Sequence, residues 1–159
     1  VKKTVDFAAI ARVAQRSELK SVRLISTTAK CEPTVLGTLV PHVDLECRPG
    51  AVENDSLEVI CEYTFTAHAN EVQAVSATIA YLLVYEINGG ESQSPDDLAE
   101  FARANGTLNS WPFVREMLFG LTSRMGYPPY TLPLMHFSAK PKAKETKREA
   151  GEIMPADQR

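Results

Sequence analysis

Two runs of strict alternation, separated by a short polar break, limit what this chain can become. In the first, Leu57, Val59, Cys61, Tyr63 and Phe65 oppose Glu58, Ile60, Glu62, Thr64 and Thr66. A period of two belongs to a β-strand, so the pattern predicts a strand over Leu57–Ala67 with one buried face. After Ala69-Asn70-Glu71 the second run aligns Val75, Ala77, Ile79, Tyr81, Leu83, Tyr85 and Ile87. It predicts a strand over Val72–Ile87, roughly 50 Å long if fully extended. The break is too short to hold the helix that a parallel connection needs, so the two runs pair as an antiparallel hairpin. Val72, Ala74, Ala80, Leu82 and Val84 make the long strand apolar on its other face as well. Its edge is a pairing hazard unless covered.

The flanking sequence extends this sheet. Leu19–Cys31 is rich in Val, Ile and Thr and reads as a strand with imperfect alternation. Glu32–Leu39 reads as a loop with Pro33 and Gly37, yet it carries Val35, Leu36 and Leu39. Val40–Cys47 alternates again, with Pro41, Val43, Leu45 and Cys47 against His42, Asp44 and Glu46. Pro49-Gly50 and Asn54-Asp55 mark Arg48–Ser56 as a turn region. Helical signals follow the strands. Ser94-Pro95-Asp96-Asp97 starts one helix, with Leu98, Phe101 and Ala102 on its apolar face and Asn105-Gly106 as its stop. A second helix is capped by Asn109 or Ser110 and has Pro112 in its first turn. Trp111, Val114, Leu118, Leu121 and Met125 form its stripe, widened by Phe113 and Met117, and Gly126 with Pro128-Pro129 ends it.

Strands followed by helices predict an α+β fold. The expected architecture is a four-stranded antiparallel sheet, a meander with a crossover loop, with C-terminal helices packed on one face. An N-terminal helix over Val5–Arg16, capped by Asp6 and apolar at Phe7, Ile10, Ala11 and Ala14, forms an extension (1–17). The main domain spans 18–137, and its end, rich in prolines and large apolar residues, is expected to lie packed across the molecule. The tail over 138–159 is charged and expected to be disordered.

Composition narrows the function. A length of 159 residues fits one domain plus a tail, and a net charge of −3 argues against nucleic acid as a partner. No window approaches the apolar length of a membrane span, so no membrane insertion is expected. No apolar segment follows Val1-Lys2-Lys3, so no signal peptide is expected, and the missing initiator Met points to a trimmed N-terminus. Cys31, Cys47 and Cys61 sit at apolar-looking strand positions and are expected as buried reduced thiols, which fits the cytoplasm. His42, His68 and His136 are isolated in sequence, and neither a nucleotide loop nor a nucleophile signature occurs. An enzyme, a metal and a cofactor are therefore not expected. The apolar excess is the informative feature. Flexible methionines and aromatics beside an apolar loop suit a surface that repacks around varied apolar segments.

Trp111-Pro-Phe-Val-Arg-Glu, then Leu121-Thr-Ser-Arg-Met-Gly-Tyr-Pro-Pro, then Leu132-Pro-Leu-Met-His-Phe resembles the signature end of the SecB family of bacterial export chaperones. The resemblance covers Leu19 to Phe137. It implies an ATP-independent holdase that binds unfolded or aggregation-prone polypeptides, preproteins for export among them, and assembles as a homotetramer or dimer. It places the client groove between the crossover loop and the last helix, with Leu36, Leu39, Val43, Phe113, Met117 and Met125 as candidate client-binding residues. In that family the ATPase SecA docks on acidic residues of the exposed sheet face, helped by the C-terminal region. An ungapped alignment puts Glu32 at one acidic position, but Thr28 and Thr78 at others, and the tail clusters Lys140, Lys142, Lys144, Lys147 and Arg148. SecA binding is therefore expected to be weak or absent. The alternative is a SecB-like chaperone dedicated to one client, such as an antitoxin.

Overall fold

The alternating runs form the centre of a four-stranded antiparallel sheet. In the computed structural model, residues 2–35, 37–53, 55–88 and 93–139 are described. β1 (Lys2–Val5) and α1 (Phe7–Ala14) precede the long strands β2 (Ser17–Cys31), β3 (Val40–Glu53), β4 (Ser56–Ala69) and β5 (Val72–Ile87). Then come α2 (Pro95–Phe101), a π-helical segment (Ala102–Gly106), α3 (Thr107–Arg124) and β6 (His136–Ala139). The sheet order is β2-β5-β4-β3. The meander is thus β3–β4–β5, and residues 32–39 carry the chain across from the β2 edge to the β3 edge.

Hairpin geometry sets the register. Ala69 pairs with Val72, and the two residues between them, Asn70 and Glu71, have φ of 50° and 66°. Two successive left-handed residues make the type I′ turn, whose twist matches that of the strands. The expected inner faces are realised: Leu57, Val59, Cys61, Tyr63 and Phe65, and Val75 through Ile87 in alternation, are buried. Each large side chain removed from water in this way contributes about 1.5–3 kcal/mol. Trp111, Val114 and Leu118 of α3 and Phe101 of α2 close the core from the helical side.

Several expectations need correction. β3 does not turn at Pro49-Gly50 but runs on to Glu53 past a bulge between Pro49 and Val52. Its place at the sheet edge allows this, because an edge strand tolerates proline and bulges. The edge of β5 is covered, since it lies between β2 and β4, and among the described residues the outer strands of this sheet are β2 and β3. Asn105-Gly106 does not stop a helix, nor do Asn109 or Ser110 cap a new one; α2, the π-helical segment and α3 run on without a break. Gly106 serves close approach instead. A Cβ there would lie 2.7 Å from Val59 Cγ1 and 2.9 Å from Cys61 Sγ. On α1, Asp6 caps as expected, accepting from the amides of Ala8 and Ala9, but Ala9, Ile10 and Val13 are the buried residues and Phe7 is exposed.

The thiol expectation also fails. Cys47 and Cys61 are direct partners across β3 and β4 and are joined as a disulfide, while Cys31 is free and exposed. At the ends of the chain, β1 pairs in parallel with β6, so Ser138 and Ala139 meet Thr4 and Val5 rather than starting a loose tail. Val5, Ile10 and Ala104 form a small satellite core there, with Phe137 packed against it. The remainder of the expected tail, from Lys140, lies outside the described residues.

The left-handed residue at Glu71 generates a test. Relieving it with Glu71→Gly is expected to stabilise the fold by about 1 kcal/mol, or about 3 °C in melting midpoint. A thermal melt showing no gain, or a loss, would contradict the turn geometry.

Candidate functional site

The segment after α3 has no strand or helix of its own until β6, so side chains must hold it. Trp111 Nε1 donates to the Pro133 carbonyl at 3.1 Å. Thr122 Oγ1 donates to the Leu118 carbonyl and accepts from the Tyr130 amide, both at 2.8 Å. Tyr127 OH donates to the Glu32 carbonyl at 2.7 Å, tying the segment to the start of the crossover loop. Leu132 is fully buried, and the Tyr130 ring stacks on Phe65 with centroids 5.1 Å apart. Leu132 and Tyr130 therefore anchor the segment by burial where the backbone offers no ladder.

A groove of about 390 Å³ remains between this segment and the crossover loop. Leu39 and Pro41 form one wall, Phe65 and Ala67 the floor, and Thr122 with Pro128, Pro129 and Tyr130 the other wall. Among the described lining residues only Tyr130 ionises, and burial pushes its pKa up. The groove is thus uncharged at neutral pH, and an apolar segment entering it would remove apolar surface from water. Its prolines are already fixed in φ, so little backbone freedom is lost when a ligand settles on them.

Tyrosines beneath the helices are also kept neutral. Burial raises the pKa of Tyr85 to about 12, partly offset by the Asn109 amide that donates to its oxygen at 2.9 Å. Burial likewise raises that of Tyr63, whose hydroxyl is 2.6 Å from Ser110 Oγ. The one Ser110 proton goes to the Gly106 carbonyl, so Tyr63 is the donor of that pair.

The residues expected at the site divide. Leu39 lines the groove. Val43 is half-buried beside it, opposite Phe65 in the β3–β4 register. Met117 and Met125 are half-buried against the main core and do not line the groove. Phe113 lies elsewhere, half-exposed, with its ring 6.1 Å from Tyr81. Leu36 lies outside the described residues. Glu32 is exposed at the end of the sheet, where its carboxylate accepts from the Thr34 hydroxyl at 2.9 Å. Phe65 was not foreseen as a lining residue; its signal was its place at the end of the buried alternation, next to the loop.

Two other concavities are chemically different. One of about 570 Å³ runs along the outer side of α3 past Phe119 and Leu134, with Arg115 and Glu116 beside it. Another of about 820 Å³ lies between α1, α2 and β3 and is lined mostly by charged residues, including Arg12, Arg48 and Arg103. It is larger than the apolar groove and more polar, with charged side chains beside Ala9, Ala99 and Pro49. No described helix is long and apolar enough to cross a membrane.

No family model matches the chain. The SecB-like chaperone Rv1957 of Mycobacterium tuberculosis strain H37Rv is 26% identical over 147 residues, covering 79% of this chain and 81% of that protein. The SecB-like chaperone MT2006 of strain CDC 1551 gives the same identity and coverage. Among solved structures, the M. tuberculosis Rv1957 SecB-like chaperone in complex with a ChAD peptide from the Rv1956 HigA1 antitoxin matches with a TM-score of 0.73. The fold is SecB-like. That match has 22% sequence identity and covers 80% of this chain and 95% of the other. The SecB-like resemblance read from Trp111 to Phe137 is thus supported by both sequence and fold.

The hold on the segment after α3 is testable at Thr122. Thr122→Val leaves the Tyr130 amide without its acceptor, and the expected cost is about 1–2 kcal/mol. Denaturant unfolding should show that loss, together with faster amide exchange at Tyr130. Unchanged stability and exchange would mean that Thr122 does not hold the segment.

Proposed function

We propose that this chain is an ATP-independent chaperone that holds unfolded or aggregation-prone polypeptides in the groove between the crossover loop and the segment after α3. One observation carries the reading: an uncharged apolar groove framed by a loop and a proline-rich segment. Such a site accepts many apolar sequences because it makes few demands on ligand hydrogen bonding. Holding needs no chemistry, since a ligand that binds only the unfolded client shifts that client's equilibrium by mass action. On this reading the protein is not an enzyme and works in the cytoplasm.

Preproteins for export are one client class for a SecB-like holdase. A dedicated single client is the second reading, and the antitoxin peptide bound to the M. tuberculosis SecB-like chaperone favours it. SecA binding is weak or absent on the second reading, with Glu32 as its one matching acidic position. We further propose a dimer or tetramer. The free β2 edge, with Leu24 and Ile25 at 44% and 51% exposure, and the outer face of α3, with Phe113 and Phe119 half-exposed, support assembly.

The test is light scattering of a reduced, unfolded client during aggregation, without nucleotide. An equimolar amount of the oligomer should suppress the signal, and Leu39→Asp should weaken suppression at least fivefold while leaving the melting midpoint within a few degrees. Scattering traces unchanged by the wild-type protein would overturn the chaperone reading. Equal suppression by Leu39→Asp would move the site away from this groove.

A further inference from the structure

The disulfide lies directly beneath the helical layer at Gly106. Cys47 and Cys61 are paired across β3 and β4 with Cα atoms 4.1 Å apart. That separation is on the short side of the roughly 4.5 Å of a non-hydrogen-bonded cross-strand pair, in which side chains lie nearest each other. The strand register holds the two sulfurs opposite each other whether or not they are bonded. The two cysteines differ in access. Cys61 is fully buried, whereas Cys47 is 8% exposed and forms part of the wall of the polar cavity between α1, α2 and β3. The helical layer rests on the pair. Thr107 Oγ1 lies 3.5 Å from Cys47 Sγ, and the Gly106 position would place a Cβ 2.9 Å from Cys61 Sγ and 3.4 Å from Cys47 Cβ.

We propose that Cys47–Cys61 is a reversible thiol–disulfide site, opened by a small thiol entering through this cavity, and that its state sets how firmly the π-helical segment Ala102–Gly106 sits on the sheet. The thiolate of the small thiol attacks Cys47 Sγ. A mixed disulfide forms there, the bond to Cys61 breaks, and the Cys61 thiolate takes a proton from water. A second thiol attacks the adduct sulfur, and Cys47 leaves as a thiolate that is then protonated. The balance is two small thiols oxidised to their disulfide and one protein disulfide reduced to two thiols. Once unbonded, the sulfurs separate to van der Waals contact. Cys61 Sγ lies directly beneath Gly106, where a Cβ would come within 2.9 Å, so the π-helical segment is the element that shifts as the sulfurs part. Where disulfides occur in reducing compartments they are usually of this reversible kind. The inference does not depend on the chaperone reading.

The test uses the full chain, alkylated in denaturant after an acid quench and mapped by mass spectrometry. Without reductant, only Cys31 should be alkylated. Native-state incubation with 2-mercaptoethanol should add Cys47 and Cys61, with any trapped adduct on Cys47, and removing the thiol in air should restore the bond. Amide exchange over 102–108 should be at least fivefold faster in the reduced protein and in Cys47→Ser, with client holding measured separately. Alkylation of all the cysteines without reductant would overturn the proposal. So would reduction only after unfolding, an adduct on Cys61, or identical exchange in both states.

Discussion

The approach of a helix backbone to the sheet at Gly106 is the constraint on which the other features depend. Val59 and Cys61 leave no space for a side chain there. With the backbone this close, Tyr63 reaches Ser110, Asn109 reaches Tyr85, and Thr107 meets Cys47. These contacts fix the rotation of α3 and point Trp111, Val114 and Leu118 into the core. The hydroxyls of Thr107 and Ser110 cap the carbonyls of Arg103 and Gly106, in the stretch where the helical ladder changes pitch. A larger residue at 106 would lift the helix and loosen all of these contacts together.

The groove follows from that placement. Trp111 and Thr122 lie on the same α3 and hold the following segment at Pro133 and Tyr130, while Tyr127 ties it to the crossover loop at Glu32. The result is an apolar channel framed by segments outside the main sheet ladder. Discrete side-chain anchors fix their average position and leave local freedom to repack, which suits a ligand of variable sequence. The strands below are long, buried and paired, so repacking above them leaves the core intact.

The sheet was legible because period two survives in β4 and β5 with hardly an exception, from Leu57 through Ile87. The signature from Trp111 to Phe137 likewise pointed to the SecB-like fold that the structural match supports. What escaped the sequence depends on register or long-range contact. The pairing of Cys47 with Cys61 follows from the pairing of Glu53 with Ser56 and the bulge past Pro49, neither of which alternation reveals. Asn105-Gly106 looked like a stop because glycine's usual local role differs from its role here, in which absence of a side chain admits a neighbour. β1 and β6 are too short to show a period, and they come together from opposite ends of the chain. Within the site, Leu39 was readable as an apolar residue in a loop. Phe113 and Met117 were not separable from it, because helical spacing cannot tell which side of α3 faces the loop.

The central claim is that apolar segments of other chains settle between the crossover loop and the proline-rich segment. Amide hydrogen exchange of the protein, free and saturated with an unfolded apolar peptide, tests this most directly. The account predicts slowed exchange at residues 37–40 and at Tyr130, with little change along the outer side of α3. Protection confined to residues 113–119, or to the open face of the sheet, would contradict it.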